Sequence, residues 1–510
     1  MSDAIRYEIV EFDLDAHEFV VELVVPAAGL AAVTVSLPAW LPGSYMIRDF
    51  ARHVTEIAAV DQEGPLPLQK LDKQTWRAAR CSGEVVFQYR VYAFDLSVRG
   101  AYLDWTRAYF NGACVFLCVE EMPDAPWQLY MQRPATGLAD GWQVATTLPV
   151  IDVDDAGFGL YGGQGYPDLI DHPVEIGEFR RGRFEVGGVV HYFAVTDGGQ
   201  FDMDRLLADV QPVCAEHVAM FGCLPVDRYL FLTLATAEGY GGLEHADSTS
   251  LICKRSDLPA AKVGRPEKNY RQFLALCSHE YFHLWNVKRI KPAAFLAGNL
   301  AAETHTELLW AFEGITSYYD ELALARAGVL RPEEYLDMLA STVTRLLRNP
   351  GQRRQSLAAS SFDAWTKFYK QDENGPNAIV SYYTKGTLVA LGLDLVLREA
   401  SGDALSLDDL MRRLWIRYGT GVSGIAERGV ELEVAALLGK PLDEFFQAYV
   451  YGTVELPLES WFGKLGIGYR ARAAVSQDDQ GGYQPQAPVD PPARALGARY
   501  EFQPAGLRIT

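Results

Sequence analysis

The segment HEYFH contains residue types at the spacing of a metal-dependent hydrolase. His279 and His283 are four residues apart, and Glu280 directly follows the first histidine. Positions i and i+4 lie on one face of an α-helix, so both imidazoles can bind the same metal ion. Glu280 lies beside that face, where it can accept a proton from a water molecule activated by the metal. The segment predicts a zinc site with two histidine ligands and a glutamate base.

A catalytic zinc ion needs a third protein ligand and an open position. No HxxGxxH pattern follows the motif, so we expect a carboxylate on the next helix. Glu303, Glu307 and Glu313 compete for this role. Glu313 is favoured because its context, LLWAFEGITSYYD, resembles the WxxEG of zinc aminopeptidases. The other two glutamates are interpreted as first-turn charges that the helix dipole stabilises. We predict one Zn²⁺ per chain.

Two further segments could complete a site for peptide hydrolysis. Tyr383 in SYYTKGTLVA can donate a hydrogen bond to a developing oxyanion, whereas the neighbouring Tyr382 is interpreted as a packing residue. Glu244 in GGLEH can bind a free α-ammonium group. Gly241 and Gly242 would let a substrate backbone approach closely. This set predicts an exopeptidase that acts from the N terminus.

The elements around these residues predict a multidomain α+β protein. Alternating β-branched runs up to about residue 170 indicate a β-sandwich-like domain. A strand and helix mixture then leads to the metal helix, expected over about 266–286, and mostly helical segments follow from about 330 to 455. The predicted parts are an N-terminal β domain (1–175), a thermolysin-like catalytic domain (176–325), a helical domain (326–460) and a linker with a possible truncated domain (461–510).

Three further segments give predictions about local structure only. The segment LPAWLPGSYMIRDFARHV (37–54) forms either a packing corner or one wall of a cleft, and the packing corner is the simpler interpretation. The polar segment 351–380 is predicted to be a long loop with a short helix that could border the cleft. Residues 477–495 have the Gln, Gly and Pro content of a linker.

Bulk composition excludes several classes of function. The 510 residues carry a formal charge of −20, which argues against a nucleic-acid partner. No signal peptide and no apolar run of about 18 residues is visible, so we expect a cytoplasmic protein without a membrane segment. The seven cysteines are scattered without a CxxC pair, which indicates reduced, mostly buried thiols. Composition does not predict the oligomeric state.

Several separated motifs together resemble one family, the glycyl aminopeptidases of metallopeptidase family sixty-one in the gluzincin clan. LPAWLPGSYMIRDFARHV is similar to its N-terminal signature; YGGLEHADSTSL, SHEYFHLWNVKRIKP, LLWAFEGITSYYD and SYYTKGTLVAL are similar, in order, to its catalytic domain. The resemblance implies zinc held by His279, His283 and Glu313, with Glu280 as the base. It also implies removal of N-terminal glycine or alanine from peptides with a free N terminus. By similarity to aminopeptidase N, Glu244 would anchor the amine and Tyr383 would stabilise the transition state.

The family also implies a C-terminal PDZ domain, which takes roughly 80–100 residues. The segment LGARYEFQPAGLRIT is similar to the opening of such a domain, so we expect this domain to be truncated or absent. Two alternative functions remain open from the sequence. One is a zinc endopeptidase, and the other is a non-catalytic peptide-binding protein of the same fold.

Overall fold

Strands dominate the chain up to the middle of its sequence, and helices dominate it afterwards. The computed structural model describes residues 4–135, 137–260, 264–476, 479–483, 500–503 and 506–509. All structural statements below concern these residues. The architecture is multidomain α+β, with β-rich sheets at the N terminus and a helical C-terminal region, as the sequence predicts.

Three sheets form the N-terminal part. The largest has eight strands, in spatial order Val150–Val153, Gly159–Gln164, Pro126–Met131, Ile5–Asp13, Glu18–Pro26, Glu84–Tyr92, Val54–Asp61 and Gly64–Pro65. Two four-stranded sheets complete it: Gln143–Thr146, Val174–Gly177, Arg107–Phe110, Ala101–Leu103; and Cys118–Val119, Ala32–Ser36, Thr75–Ala79, Leu68–Lys70. Alternate residues of the strand Glu18–Pro26 are buried, because successive side chains of a strand point to opposite faces of the sheet.

A five-stranded sheet carries the next part of the chain. Its spatial order is Arg180–Val186, Val189–Thr196, Arg228–Thr236, Ser248–Lys254 and Gly241–Glu244. In the sequence, the helix Met203–Phe221 connects the parallel strands Val189–Thr196 and Arg228–Thr236. This order agrees with the mixture of strands and helices predicted before the metal helix. The strand Gly241–Glu244, here called the edge strand, pairs antiparallel with Ser248–Lys254 and leaves its other side unpaired by any described strand.

Helices form most of the remaining chain. The helix Lys268–Phe282, here called the motif helix, contains the first histidine of HEYFH, and the second histidine, His283, is its C-cap residue. The other helices are Ala293–Ala297, the π-helix Trp310–Gly314, Ile315–Arg326, Pro332–Leu347, Leu357–Phe362, the π-helix Ala364–Phe368, Gly375–Ala378, Thr384–Ser401, Leu407–Tyr418, Gly429–Leu438, Asp443–Tyr449 and Leu458–Lys464.

Short elements complete the list. The N-terminal part contains the helices Gly112–Val115 and Tyr166–Leu169, and 3₁₀ turns occur at Phe50–His53, Gly137–Ala139, Arg255–Asp257 and Pro350–Arg353. Tyr500–Gln503 and Gly506–Ile509 form a hairpin. None of the described helices is both long and apolar enough to cross a membrane.

The segment 37–54 joins the N-terminal sheets to the five-stranded sheet and the helices that follow it. One apolar core lies among the N-terminal sheets, and a second lies among the five-stranded sheet and the helices. Trp40 and Tyr45 belong to the second core, where both rings pack on Trp365. The indole of Trp40 also donates a hydrogen bond to the carbonyl of Ala302. The segment is therefore a packing corner, and Gly43 within it also lines the cleft.

Two predictions about local structure are wrong. The segment 351–380 is not mainly a loop, because the structure places four short helices within or across it. Leu357 and Trp365 are fully buried there, and the side chain of Ser356 caps a helix. The polar residues around Leu357 and Trp365 masked the sequence signal that these two side chains are buried. The motif helix is also shorter at both ends than the predicted 266–286.

Glu303 and Glu307 do not lie in the first turn of a helix. The π-helix that carries Glu313 begins at Trp310, and the residues before it are irregular. The carboxylate of Glu427 accepts hydrogen bonds from the Thr306 hydroxyl and the Glu307 amide, which holds this segment outside the helix. Most of the predicted linker and part of the predicted PDZ-like start fall outside the described residues.

Candidate metal centre and active site

The two histidines of HEYFH present their ring nitrogens to a common point. One face of the motif helix, which carries Phe273 and Cys277, is buried in the apolar core. The face that carries His279 and His283 lines a cavity of about 450 Å³. Nε2 of His279 and Nε2 of His283 are 3.0 Å apart. Their Nδ1 atoms have other partners: Asp320 Oδ2 at 3.0 Å and the carbonyl of Asn286 at 2.8 Å. These partners leave Nε2 of each ring available for a metal.

Glu313 supplies the third donor atom. Its Oε2 lies 3.4 Å from Nε2 of His279 and 3.2 Å from Nε2 of His283. Tetrahedral zinc with bonds of about 2.0–2.1 Å would separate its donor atoms by roughly 3.3 Å. The observed separations therefore fit a zinc ion, and all three ligand types are those that zinc binds. Glu303 and Glu307 are not part of this group.

A hydrogen-bond network holds Glu313 in place. Asn286 donates from Nδ2 to the carbonyls of Ala311 and Phe312, which joins the end of the motif helix to the π-helix. A π-helix inserts an extra residue per turn and is frequent at functional sites. The hydroxyl of Tyr45 donates to Glu313 Oε1 at 3.2 Å, so the N-terminal part contributes directly to the site.

The site attracts positive charge. Burial opposes ionisation of Glu313, but the two imidazoles hold its pKa well below the usual range. Burial also opposes protonation of His279, yet hydrogen bonds to Asp320 and Glu313 keep its pKa well above the ordinary value. The pKa of His283 rises to about 8 against the same burial, because Glu313 and Glu244 lie close. These shifts share one cause, the negative charge of the carboxylates around the two imidazoles, and this charge favours a bound cation.

Glu280 is a buried carboxylate that faces the cavity. Its Oε2 has no hydrogen-bond partner in the described chain. Burial raises its pKa to about 7, against the attraction of the two imidazoles. A Cβ on Gly242 would lie 2.0 Å from Glu280 Oε1. Gly242 was predicted to let a substrate backbone approach closely. In the structure, its lack of a side chain leaves room for the Glu280 carboxylate against the edge strand.

A contact between two glycines brings Tyr383 to the metal group. A Cβ on Gly314 would lie 2.6 Å from the Cα of Gly386, so the π-helix and the helix Thr384–Ser401 touch through their backbones. This contact explains why a glycine, Gly314, follows Glu313 and why another, Gly386, lies three residues after Tyr383. Tyr383 precedes that helix and lines the same cavity as Glu313.

Tyr383 and Tyr382 have different surroundings. The Tyr383 ring centroid is 6.2 Å from that of His279, and its hydroxyl is 3.3 Å from the hydroxyl of Tyr369. Tyr382 is fully buried, does not line the cavity and donates to the same Tyr369 hydroxyl. Tyr383 is therefore the residue of the pair that a substrate can reach.

Glu244 ends the edge strand and lines the same cavity. It is buried, and its Oε1 has no hydrogen-bond partner in the part of the chain that is described. Oxygen atoms of Glu244 and Glu280 and a nitrogen of His283 lie within 4.8 Å of one another. Gly241 lines the cavity at the beginning of the same strand. The structure thus brings together all eight residues that the sequence singled out.

Three residues at the site escaped sequence analysis. Asp320 lies seven residues after Glu313, two helical turns on, and that spacing could have indicated a shared face. Asn286 lies three residues after HEYFH, but nothing in the sequence around it indicates that it contacts the π-helix. Tyr45 lies 268 residues before Glu313, so no local pattern connects them.

Removing the carboxylate that orients His279 should weaken zinc binding without abolishing it. We expect Asp320→Asn to lower zinc affinity about 10–100-fold, because groups bound to a ligating histidine fix its orientation and raise its basicity. Competition with a chelator measures the change. Glu321→Gln changes the carboxyl at the next position, which forms no hydrogen bond with His279 in the described chain, and should leave the affinity within about twofold. Equal effects of the two variants would contradict a specific role for Asp320.

Comparison with known proteins agrees with this geometry. A family model for the M61 peptidase N-terminal domain matches residues 6–178, and one for the M61 glycyl aminopeptidase matches residues 272–389. A solved structure from Idiomarina loihiensis, described as an aminopeptidase N family protein, is 38% identical with a TM-score of 0.95. The match covers 99% of this chain and 85% of that chain.

The chain belongs to the M61 glycyl aminopeptidase family. It is accordingly a zinc metallopeptidase of the aminopeptidase type. The M1 zinc metallopeptidase from Deinococcus radiodurans shares the fold of this M61 chain at 13% identity, with a TM-score of 0.54 over 89% of this chain and 94% of that one. A comparison with curated proteins returns no match.

Proposed function

We propose that this M61 peptidase removes small N-terminal residues, glycine and alanine above others, from peptides with a free α-amine. The observation that carries the proposal is the buried Glu244 carboxylate beside Glu280 and His283, whose Oε1 has no hydrogen-bond partner among the described residues. Two such carboxylates facing one cavity call for a cation, and an α-ammonium group supplies it. An endopeptidase has no use for this charge, because an internal amide is neutral.

The side chains divide the chemistry among them. His279, His283 and Glu313 would hold one zinc ion per chain, which supplies Lewis acidity and lowers the pKa of water. Glu280, poised near neutral pH by burial, takes a proton from the attacking water and passes it to the leaving amine. Tyr383 donates a hydrogen bond to the oxyanion as charge develops.

The turn at Gly43 supports the preference for small residues. A Cβ on Gly43 would lie 2.5 Å from Glu244 Oε2 and 2.7 Å from the Leu243 side chain. The backbone of this turn therefore closes directly on the carboxylate that holds the amine. Space for a large first side chain, or for residues before it, is restricted on this side. Gly- and Ala-anilides should be cleaved faster than Leu-anilide.

Neutralising Glu244 tests the proposal. We expect wild-type protein to cleave Gly- and Ala-anilides and to leave N-acetylated peptides intact. Glu244→Gln should lower kcat/KM for the anilides about 100-fold, because about 3 kcal/mol is typical of a hydrogen bond to a charged group in a buried site. Steady-state kinetics at saturating zinc measure the loss.

Glu238→Gln is the matched control. Glu238 precedes the edge strand, is exposed and forms an ion pair with Lys254 at 2.6 Å. This variant should keep wild-type kcat/KM. Efficient cleavage of acetylated peptides by the wild type would instead indicate an endopeptidase, and unchanged anilide kinetics in Glu244→Gln would remove Glu244 from the site.

A further inference from the structure

A peptide whose amine is held by Glu244 has one possible direction along the edge strand. Glu244 is the last residue of the strand Gly241–Glu244, and the outer side of that strand is unpaired among the described residues. An extended peptide adds to such an edge as a further strand. With its N terminus at Glu244, the peptide must run antiparallel, toward Gly242 and Gly241. The residues after the scissile bond therefore lie at the Gly241 end.

Arg99 occupies that end of the cleft. It lies in the N-terminal part, just before the strand Ala101–Leu103, and its side chain crosses to the edge strand. Its Nη2 donates to the carbonyl of Gly242 at 2.8 Å, and its Nη1 is 3.6 Å from where a Cβ on Gly241 would stand. Two to three residues separate these glycines from Glu244, which is roughly 7–10 Å along a strand. Arg99 also lines the cavity that contains Glu280.

The charge of Arg99 is not neutralised by an ion pair. No carboxylate in the described ranges forms a salt bridge with it, and its Nε is buried without a hydrogen-bond partner. A second guanidinium lies near: burial lowers the pKa of Arg48, and the charge of Arg99 lowers it further, with Asp95 opposing the shift. Arg48 itself bonds the hydroxyl of Ser44. Two guanidinium groups thus create a local positive potential beside an otherwise acidic cleft.

We propose that Arg99 binds the C-terminal carboxylate of di- and tripeptide substrates. The proposal rests on the proposed aminopeptidase function, since Glu244 must hold the other end. A guanidinium forms strong charge-assisted hydrogen bonds with a carboxylate. A short peptide places its ammonium at Glu244 and its carboxylate two or three residues away, at Arg99. A longer peptide places a neutral carbonyl there, so the enzyme favours short peptides.

Arg345 is the other cation that lines the cavity. Burial raises the pKa values of Asp320 and Glu321, and the charge of Arg345 lowers both, which places it beside these two carboxylates. Its guanidinium donates to Thr342 at 2.8 Å on the helical wall, whereas Arg99 lies against the edge strand itself.

Paired substrates that differ at one end test the proposal. The probes are Ala-Gly-Gly and Ala-Gly-Gly-amide, with Ala-Gly and its amide as a second pair. We expect wild-type kcat/KM to be at least about 10-fold higher for the free acid in one or both pairs, since one charged hydrogen bond is typically worth this much. In Arg99→Gln this ratio should fall to within about twofold of one. Arg99→Lys should keep an intermediate ratio.

The acid-to-amide ratio of kcat/KM shows whether Arg99 binds the substrate carboxylate or only positions the edge strand. Loss of the bond to the Gly242 carbonyl alone would slow acid and amide equally and keep the wild-type ratio, and that result would overturn the proposal. A wild type without acid preference, or a ratio that collapses in Arg345→Gln but not in Arg99→Gln, would also overturn it. A wild type that cleaves none of the four peptides contradicts the proposed aminopeptidase function instead.

Discussion

Replacing Glu280 with glutamine is expected to abolish peptide hydrolysis while zinc stays bound. Glutamine has the shape of glutamate but cannot accept the proton of the attacking water. General base catalysis contributes about 10²–10⁴-fold, so we expect kcat to fall by about 10³-fold or more, a barrier increase of about 4 kcal/mol. The proposed metal ligands His279, His283 and Glu313 are unchanged by the substitution. Anilide turnover and metal analysis of the same preparation measure the two effects.

The neighbouring residues explain why the effect should be confined to chemistry. Glu280 Oε2 has no hydrogen-bond partner among the described residues, so glutamine breaks no bond there. Burial already raises the pKa of this carboxyl, so a neutral side chain suits the site. Glu267→Gln, at the exposed start of the same helix, is the matched control and should keep full activity. Turnover within tenfold of wild type in Glu280→Gln would contradict the role as base.

Replacing Glu313 with glutamine is expected to remove zinc and activity together. In the proposed site, Glu313 contributes a ligand atom and a negative charge, and its Oε2 lies 3.4 and 3.2 Å from Nε2 of His279 and His283. Loss of a group that only orients a ligand costs about 10–100-fold in affinity, so loss of the ligand itself should cost more. Zinc content after dialysis, and activity with and without added zinc, measure the result.

The competing glutamates provide the controls. Glu303→Gln and Glu307→Gln should keep wild-type zinc content, because both residues precede the π-helix and neither belongs to the candidate metal group. Addition of excess zinc should restore part of the activity of Glu313→Gln. A variant of Glu303 or Glu307 that loses zinc, with Glu313→Gln unaffected, would assign the third ligand differently.

Local sequence pattern determined those features whose parts lie within one or two helical turns. The i, i+4 spacing of His279 and His283 requires nothing but a helix, and the motif helix supplies it. The choice of Glu313 over two other glutamates followed from its neighbours, and the geometry agrees. Alternating and β-branched runs likewise predicted the N-terminal strands, and alternate residues of the strand Glu18–Pro26 are buried in the structure. The polar segment 351–380 was predicted wrongly because its two buried anchors, Leu357 and Trp365, find their partners far away in the chain.

Tertiary structure decided what surrounds the metal ligands. Tyr45 reaches Glu313 across 268 residues, and the turn at Gly43 closes on Glu244 through a contact between separate parts of the chain. Such contacts leave no period or spacing in the sequence. The HEYFH segment therefore specifies only two histidines and the glutamate base of the proposed zinc site, because one helix and its C-cap residue hold them. The proposed third ligand, Glu313, comes from another helix. The proposed recognition of both ends of a short peptide needs Glu244 and Arg99, which only the packing of the N-terminal part on the edge strand brings together.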